Sequence, residues 1–424
     1  MKTSAIEIDT MSRTPQTLAH APAANAPAPA NSLSNERSRP ATTPNWRKLL
    51  SLRELGVYYA LLLLMIGLSI VTAYMGNANY LSLLNLTNVV YQSSLVAIMA
   101  VAMTVILISG NFDLSVASVA ALSATVLIGF ADQLGFWPAC GFAMAVAVCA
   151  GLLNGSIVQF LGINAFIVTL GTMTALRGVV LIVTDGHSLS VESPEVIQAM
   201  KAFESGRLDA GVFTLVLGFM LLGIALWRTV RARKRNRAIK PAVYGAAVGG
   251  VLVLALYWVS GGKLMLPKPV IYMALFTLLV WFILSFTMVG RRLYAVGGNA
   301  EAARLSGINV LRYKLVAFVL CSAAAGFAGV LFASRLRSIN PAGLTGAELT
   351  VIAAAILGGT SLFGGAGSVI KTLAGALLLY SLTNGFNILN LGANYQGLIE
   401  GIVLISAAAL YTVGNHRSKT KIVK

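Results

Sequence analysis

The 424-residue chain has three histidines, His20, His187 and His416. None stands at a spacing from a second ligand, an acid or a nucleophile that metal binding or acid–base catalysis requires. Lysine offers more at first sight. GGAGSVIKT, residues 364–372, brings glycines up to a Lys-Thr pair, as in a phosphate-binding loop. Such a loop needs G-x-x-x-x-G-K-[ST], so that backbone N–H groups surround the phosphates while the lysine reaches them. Here Ile370 stands where a glycine must precede Lys371, and the setting is an apolar helix. Cys140, Cys149 and Cys321 lie in apolar segments and are expected as buried free thiols, without metal or disulfide spacing. No catalytic site, metal or cofactor is expected, and any ATP would be hydrolysed on another chain.

The charged residues are more informative. GGNAEAARLSGINV, residues 297–310, sets Glu301 and Arg304 among small residues in a chain that is otherwise mostly apolar. Asn299 suits a helix cap, Glu301 suits the positive end of a first turn, and Gly307 is a natural stop. Leu305 and Ile308 are spaced to share one face. The pattern predicts a two-turn helix lying at a membrane surface. It reads either as a solvated connector or as a docking helix for a partner.

The elements that must position this segment are membrane spans. Hydrophobic residues make up 57% of the chain and charged residues 11%, with a mean hydropathy of +0.80. A soluble surface usually takes about 25% charged residues. Apolar runs recur from about Leu55 to Val413, each long enough to cross ~30 Å of hydrocarbon. The fold class is therefore all-α, a polytopic transmembrane helical bundle of about 10–12 spans. The runs fall near 56–75, 93–109, 114–131, 137–160, 165–184, 211–227, 241–260, 268–289, 315–334, 347–362, 367–386 and 394–413. The glycine-rich stretch 358–368 leaves room for a re-entrant or broken helix, and hence for ten spans.

Residues 1–45, with APAANAPAPANSLSNE at their centre, read as a disordered tail ahead of a membrane domain at 46–424. The net charge of +17 sits in loops beside spans, as the positive-inside rule expects, and no soluble domain is left to bind nucleic acid. Loops 228–240 and 290–314 and the C-terminus are basic, whereas loop 185–210 holds Asp185, Glu192, Glu195, Glu204 and Asp209. All four agree with cytoplasmic N- and C-termini, which places 290–314 in the cytoplasm.

Several segments together resemble a known family. GRRLYAVGGNAEAARLSGINVLRYK is similar to the EAA-type coupling loop of the monosaccharide ABC permeases, the ribose, xylose and arabinose group. ISGNFDLSVAS (108–118), FIVTLGTMTALRG (166–178) and AELTVIAAAILGGTSLFGGAGSV (347–369) are similar to three further motifs of that group, in the same order. The wording EAARLSGINV and the basic loop after the sixth span resemble the xylose-type members most; Asn111, Phe112 and Ala117 depart from the usual motif.

The resemblance implies an ABC importer permease in the bacterial inner membrane, moving a monosaccharide such as xylose or another pentose. A hexose, a nucleoside or a branched-chain amino acid stays open, as does an ion-coupled transporter. It implies a cytoplasmic ATPase subunit, a periplasmic sugar-binding protein, a second permease copy and the lipid bilayer as partners. Asn299, Glu301, Ala302, Ala303, Arg304 and Gly307 would form the ATPase-coupling segment.

An uncharged sugar needs amides and hydroxyls along its path. Asn111, Asp113, Ser115, Asn154, Thr169, Thr172, Asn384 and Asn387 are the pathway or gating candidates. Each has a plainer alternative. Asp113 can cap the helix that follows it, Ser115 and Ser118 can serve close packing, and the amides and threonines can bond neighbouring carbonyls. Arg177 is expected near a span's interior or edge, where it can pair with a carboxylate that the sequence does not identify, and Glu348 and Glu400 are expected in or near the membrane, buried against other helices. ILISGNFDLSVASV (106–119) and ILGGTSLFGGAGSV (356–369) also echo each other, a hint of an internal repeat.

Overall fold

The computed structural model describes residues 52–234 and 241–390, and beyond them only 397–398, 401–402 and 405. The tail 1–45, Arg235, Arg237, Lys240, Glu400, His20, His416 and most of the twelfth expected span lie outside the described residues.

Helices dominate because the apolar runs are long and every backbone polar group must be satisfied within its own segment. Among the described residues nine helices are long and apolar enough to cross a membrane. They are α1 (Leu52–Tyr74), α2 (Leu83–Ile108), α3 (Val116–Leu134), α4 (Phe136–Phe160), α5 (Ala165–Thr184), α7 (Gly211–Lys234), α9 (Lys268–Phe286), α12 (Val310–Leu336) and α14 (Val369–Ile388). The helix α8 (Pro241–Val259) carries a slightly shorter apolar stretch, and α13 (Ala347–Leu357) is shorter still.

Several boundaries differ from the sequence expectation, each for a local reason. The second span begins at Leu83 rather than 93, because the Ser82 hydroxyl accepts the Asn85 N–H at 3.3 Å and starts the helix ahead of the apolar run. The ninth begins at Val310 rather than 315, capped by Asn309, which accepts the Arg312 N–H at 3.0 Å. The expected span 347–362 is broken. Its helix, α13, has 11 residues, about 16 Å at 1.5 Å per residue. The chain continues through the non-helical stretch 358–368 before α14. The expected loop 290–314 contains two helices, α10 (Met288–Gly298) and α11 (Ala300–Leu305).

The polar segment 185–210 is also more than a loop. It holds β1 (Leu189–Ser190), α6 (Pro194–Met200), a π-helical turn (Lys201–Ser205) and β2 (Arg207–Asp209). β1 pairs antiparallel with β4 (Ser338–Ile339), and β2 with β3 (Met265–Pro267). These two ribbons mark one end of the bundle, and α10, α11 and the 361–367 turn mark the other.

The core is built around α2 and α12. Most of α2 is buried, and α12 packs against α2, α3 and α4. Small residues permit this: Gly326 abuts Ala147 and Gly329 abuts the Ala120 backbone, so that even a methyl group at either position would collide. Close backbone approach of this kind is how helices associate in lipid, where the hydrophobic effect gives no preference for one apolar neighbour over another. By contrast α1 and α5 are mostly exposed along apolar faces, and α7 and α8 pack chiefly on each other as an antiparallel hairpin.

Candidate functional site

The charged segment forms the helix α11 at the end of the bundle opposite the ribbons. Asn299 caps it, its side chain accepting the Ala302 N–H at 2.9 Å. Gly307 stops it with φ at +77°, a left-handed backbone that glycine adopts without strain. The helix has six residues, fewer than the two turns expected. Ala303 is buried and seats it on the bundle. Glu301 and Arg304 pair at 3.1 Å with their side chains 66% and 72% exposed, and Leu305 is 80% exposed. Leu305 and Ile308 therefore form no buried face. Beside the helix an open groove of about 460 Å³ is lined by Gln159, Glu301, Arg304, Ile308, Asn309 and Leu311 among others.

The intramembrane candidates divide into two groups. Four of them touch one another. The Asp113 carboxylate Oδ1 accepts the Ser115 N–H at 2.8 Å and the Ser115 hydroxyl at 2.5 Å. Asn154 Nδ2 donates to Ser115 Oγ at 2.9 Å, and the Thr172 hydroxyl donates to Asn154 Oδ1 at 2.6 Å. This relay joins the start of α3 to α4 and α5, and all four residues are buried. Asp113 is not the helix cap. Ser115 holds that position, and the carboxylate braces the turn before it. Asp113 Oδ2 and the buried Ser118 hydroxyl have no hydrogen-bond partner. Asn111, also buried, donates to Ser109 Oγ at 3.3 Å.

The other candidates stand apart. Thr169 donates to the Ala165 carbonyl of its own helix at 2.8 Å. Asn384 exchanges two amide hydrogen bonds with Asn85, both 3.0 Å, clamping α14 to the start of α2. Asn387 is exposed near the end of α14. Arg177 donates to the Gly343 carbonyl at 2.8 Å, and Glu348 Oε2 is buried without a hydrogen-bond partner. Among the cysteines Cys321 is buried, but Cys140 is only half-buried and Cys149 is exposed on α4, contrary to expectation. Both belong to the outward-facing part of a helix whose inward positions are taken by Ala143, Ala147, Gly151 and Asn154.

One cluster escaped the sequence reading. Glu204 was expected in a solvated acidic loop, yet it is fully buried and bonded to Arg335 Nε at 2.7 Å. The Tyr91 hydroxyl donates to the same carboxylate oxygen at 2.7 Å and Ser205 to the other at 2.9 Å. The Arg335 guanidinium lies 4.0 Å from the centre of the Tyr91 ring. Next to Glu204, Phe203 packs among Phe136, Trp137, Tyr272 and Phe327. The ion pair spans 131 residues of sequence. The available signal was Arg335, with Arg337 two residues on, closing a long apolar run.

With this geometry in view, comparison with known proteins places the chain. Residues 85–408 match the family described as branched-chain amino acid transport system / permease component. Over 350 residues the chain is 35% identical to the xylose transport system permease protein of Escherichia coli (strain K12), covering 80% of this chain and 87% of that protein. It is 33% identical over 349 residues to the ribose import permease protein of the same organism, covering 82% and 91%. It is 31% identical over 367 residues to the ribose import permease protein of Bacillus subtilis (strain 168), covering 85% and 92%. No solved structure matches.

Proposed function

The chain belongs to this family of transport permeases, and on that premise we propose that it is the membrane subunit of an ATP-driven importer for a monosaccharide, xylose or another pentose. Its similarity to proteins named for xylose and ribose supports the substrate class. The observation that carries the ATP-driven reading is α11. It is a short helix, firmly capped and stopped, that exposes Glu301, Arg304 and Leu305 beside an open groove. A connector needs neither the cap nor the exposed leucine.

On this reading Asn299, Glu301, Ala302, Ala303, Arg304 and Gly307 form the docking segment for a cytoplasmic ATPase. A periplasmic sugar-binding protein delivers the solute at the ribbon end, and two copies of the chain assemble to serve two ATPase subunits. ATP binding and hydrolysis shift the population between two arrangements of the spans, and α11 is where that difference enters the membrane. The Asp113–Ser115–Asn154–Thr172 relay then holds three spans together beside the path, since its polar groups are directed at one another.

The test is reconstitution in vesicles with the candidate ATPase and binding protein, following labelled xylose. ATP-dependent uptake is expected, with competition by other pentoses. Uptake driven by an ion gradient without the ATPase would overturn the reading. Preferential uptake of a branched-chain amino acid, a hexose or a nucleoside would replace the substrate.

A further inference from the structure

Where α10 ends and α11 begins the chain passes through Gly297, Gly298 and Asn299, and there it meets two other backbones with no side chain in between. A Cβ on Gly297 would collide with the Ile108 carbonyl oxygen at the end of α2 and lie 2.8 Å from Gly365 N. One on Gly364 would lie 2.5 Å from the Gly297 oxygen and 2.8 Å from Gly110 Cα. One on Gly365 would lie 2.7 Å from Gly298 Cα. The Gly365 N–H donates to the Ile108 carbonyl at 3.0 Å, tying the 361–367 turn to α2. One turn before Gly297, the Tyr294 hydroxyl donates to the Gly367 carbonyl at 2.9 Å. Burial pushes the Tyr294 phenol up, so it stays a donor. Just beyond the junction, Thr104 of α2 and Thr372 of α14 share a buried hydroxyl–hydroxyl bond at 2.7 Å.

We propose that this glycine junction is the joint through which movement of α11 reaches α2 and α14, with Gly297 as its positioning residue and the Tyr294 hydroxyl as its second attachment. A contact through side chains can absorb a displacement by a change of rotamer. A contact between backbones has no such slack, and close-packed interiors transmit strain because they compress little. The two segments that echo each other in sequence, 106–119 and 356–369, touch here through their backbones, Gly364 against Gly110 and the Gly365 N–H on the Ile108 carbonyl. A tilt of α10–α11 therefore displaces the end of α2 and the start of α14 together.

The inference rests on the docking role given to α11, and two measurements keep the two ideas separate. The first uses the full chain with its ATPase and binding protein in vesicles. Tyr294→Phe and Gly297→Ala are compared with the wild type for ATPase co-purification, ATP turnover and labelled-xylose uptake. The expected result is unchanged co-purification with uptake per ATP hydrolysed falling at least threefold in Tyr294→Phe and at least tenfold in Gly297→Ala. A wild-type ratio in every variant that folds overturns the joint; should Gly297→Ala fail to insert, a wild-type ratio in Tyr294→Phe alone does so.

The second measurement needs no partner. Hydrogen exchange on the purified chain should quicken at least tenfold in 361–367 and 105–110 together in Tyr294→Phe, while 189–209 stays unchanged. Unaltered exchange in 361–367 overturns the joint even where the ATPase does not dock.

Discussion

Glu301 and Arg304 face each other across one turn of α11, where an exposed i,i+3 pair is worth about 0.3–0.5 kcal/mol. Removing either charge should leave the melting temperature in detergent unchanged. If the pair meets an ATPase, the same change removes a charge-assisted contact worth about 1.5–3 kcal/mol, roughly tenfold or more in binding. Glu301→Ala and Arg304→Ala should therefore weaken ATPase co-purification and ATP-dependent uptake by about that factor. Full uptake in both would remove the docking role. Asn299→Ala acts differently, because the cap is worth about 1 kcal/mol to the helix itself. It should lower uptake, and Asn299→Asp, which keeps the acceptor, should restore it; no rescue would mean the amide is read directly by the partner. Inside the bundle, Asp113→Asn retains an oxygen for the Ser115 N–H, whereas Asp113→Ala leaves that buried donor without its acceptor. The alanine variant should lose about 1–3 kcal/mol of stability and the asparagine variant clearly less, read by thermal unfolding in detergent.

Between elements, the bond from Glu204 to Arg335 fastens the π-helical turn to α12, and through Tyr91 to α2. Breaking a buried ion pair by removing one partner costs about 3–5 kcal/mol, because the other charge is left in a poor solvent. Arg335→Ala and Glu204→Ala should each unfold well below the wild type, and the double variant should lose less than the sum of the two. Strict additivity in that cycle would show that the pair is not coupled. None of this was legible in the sequence, where Glu204 counts as one more acid in a polar stretch and its partner lies 131 residues away. What was legible follows from local physics. The apolar runs gave the spans, and the Asn299 to Gly307 spacing gave a capped and stopped helix. What failed was also local, but finer than a hydropathy window. Ser82 starts α2 in a polar stretch, and Thr287 breaks the chain between α9 and α10, its hydroxyl accepting the Gly290 N–H, whereas the end of α13 at Gly358 falls where the glycine-rich stretch had left room for a broken helix. The pathway candidates were chosen for polarity alone. Polarity does not distinguish a side chain that faces a path from one that, like Asn154, faces another side chain.

For the whole molecule, the apolar surface and the end-to-end charge difference determine how the bundle sits in a bilayer. Large apolar side chains lie exposed along α1, α5, α7 and α8, as a lipid-facing perimeter requires. Arg231, Arg233 and Lys234 close α7 at the end far from the ribbons, and Arg291, Arg292 and Arg304 belong to α10 and α11 at the same end. Asp132, which accepts the Glu192 and Ser193 N–H groups at 3.0 and 3.1 Å, belongs to the ribbon end. The positive-inside rule predicts that α11 lies inside the cell and the 340–346 turn outside. α13 takes the chain inward from that turn, and the 358–368 stretch carries it on to the end of α2, so the broken helix still counts as one crossing. The prediction is tested with single cysteines in a background where Cys140, Cys149 and Cys321 are replaced by alanine. Leu305→Cys, on the exposed tip of α11, should react with a membrane-impermeant maleimide only after the cells are opened. Thr345→Cys, exposed in the turn at the ribbon end, should react in intact cells. Labelling of Leu305→Cys in intact cells would invert the orientation, and with it the assignment of α11 to a cytoplasmic ATPase.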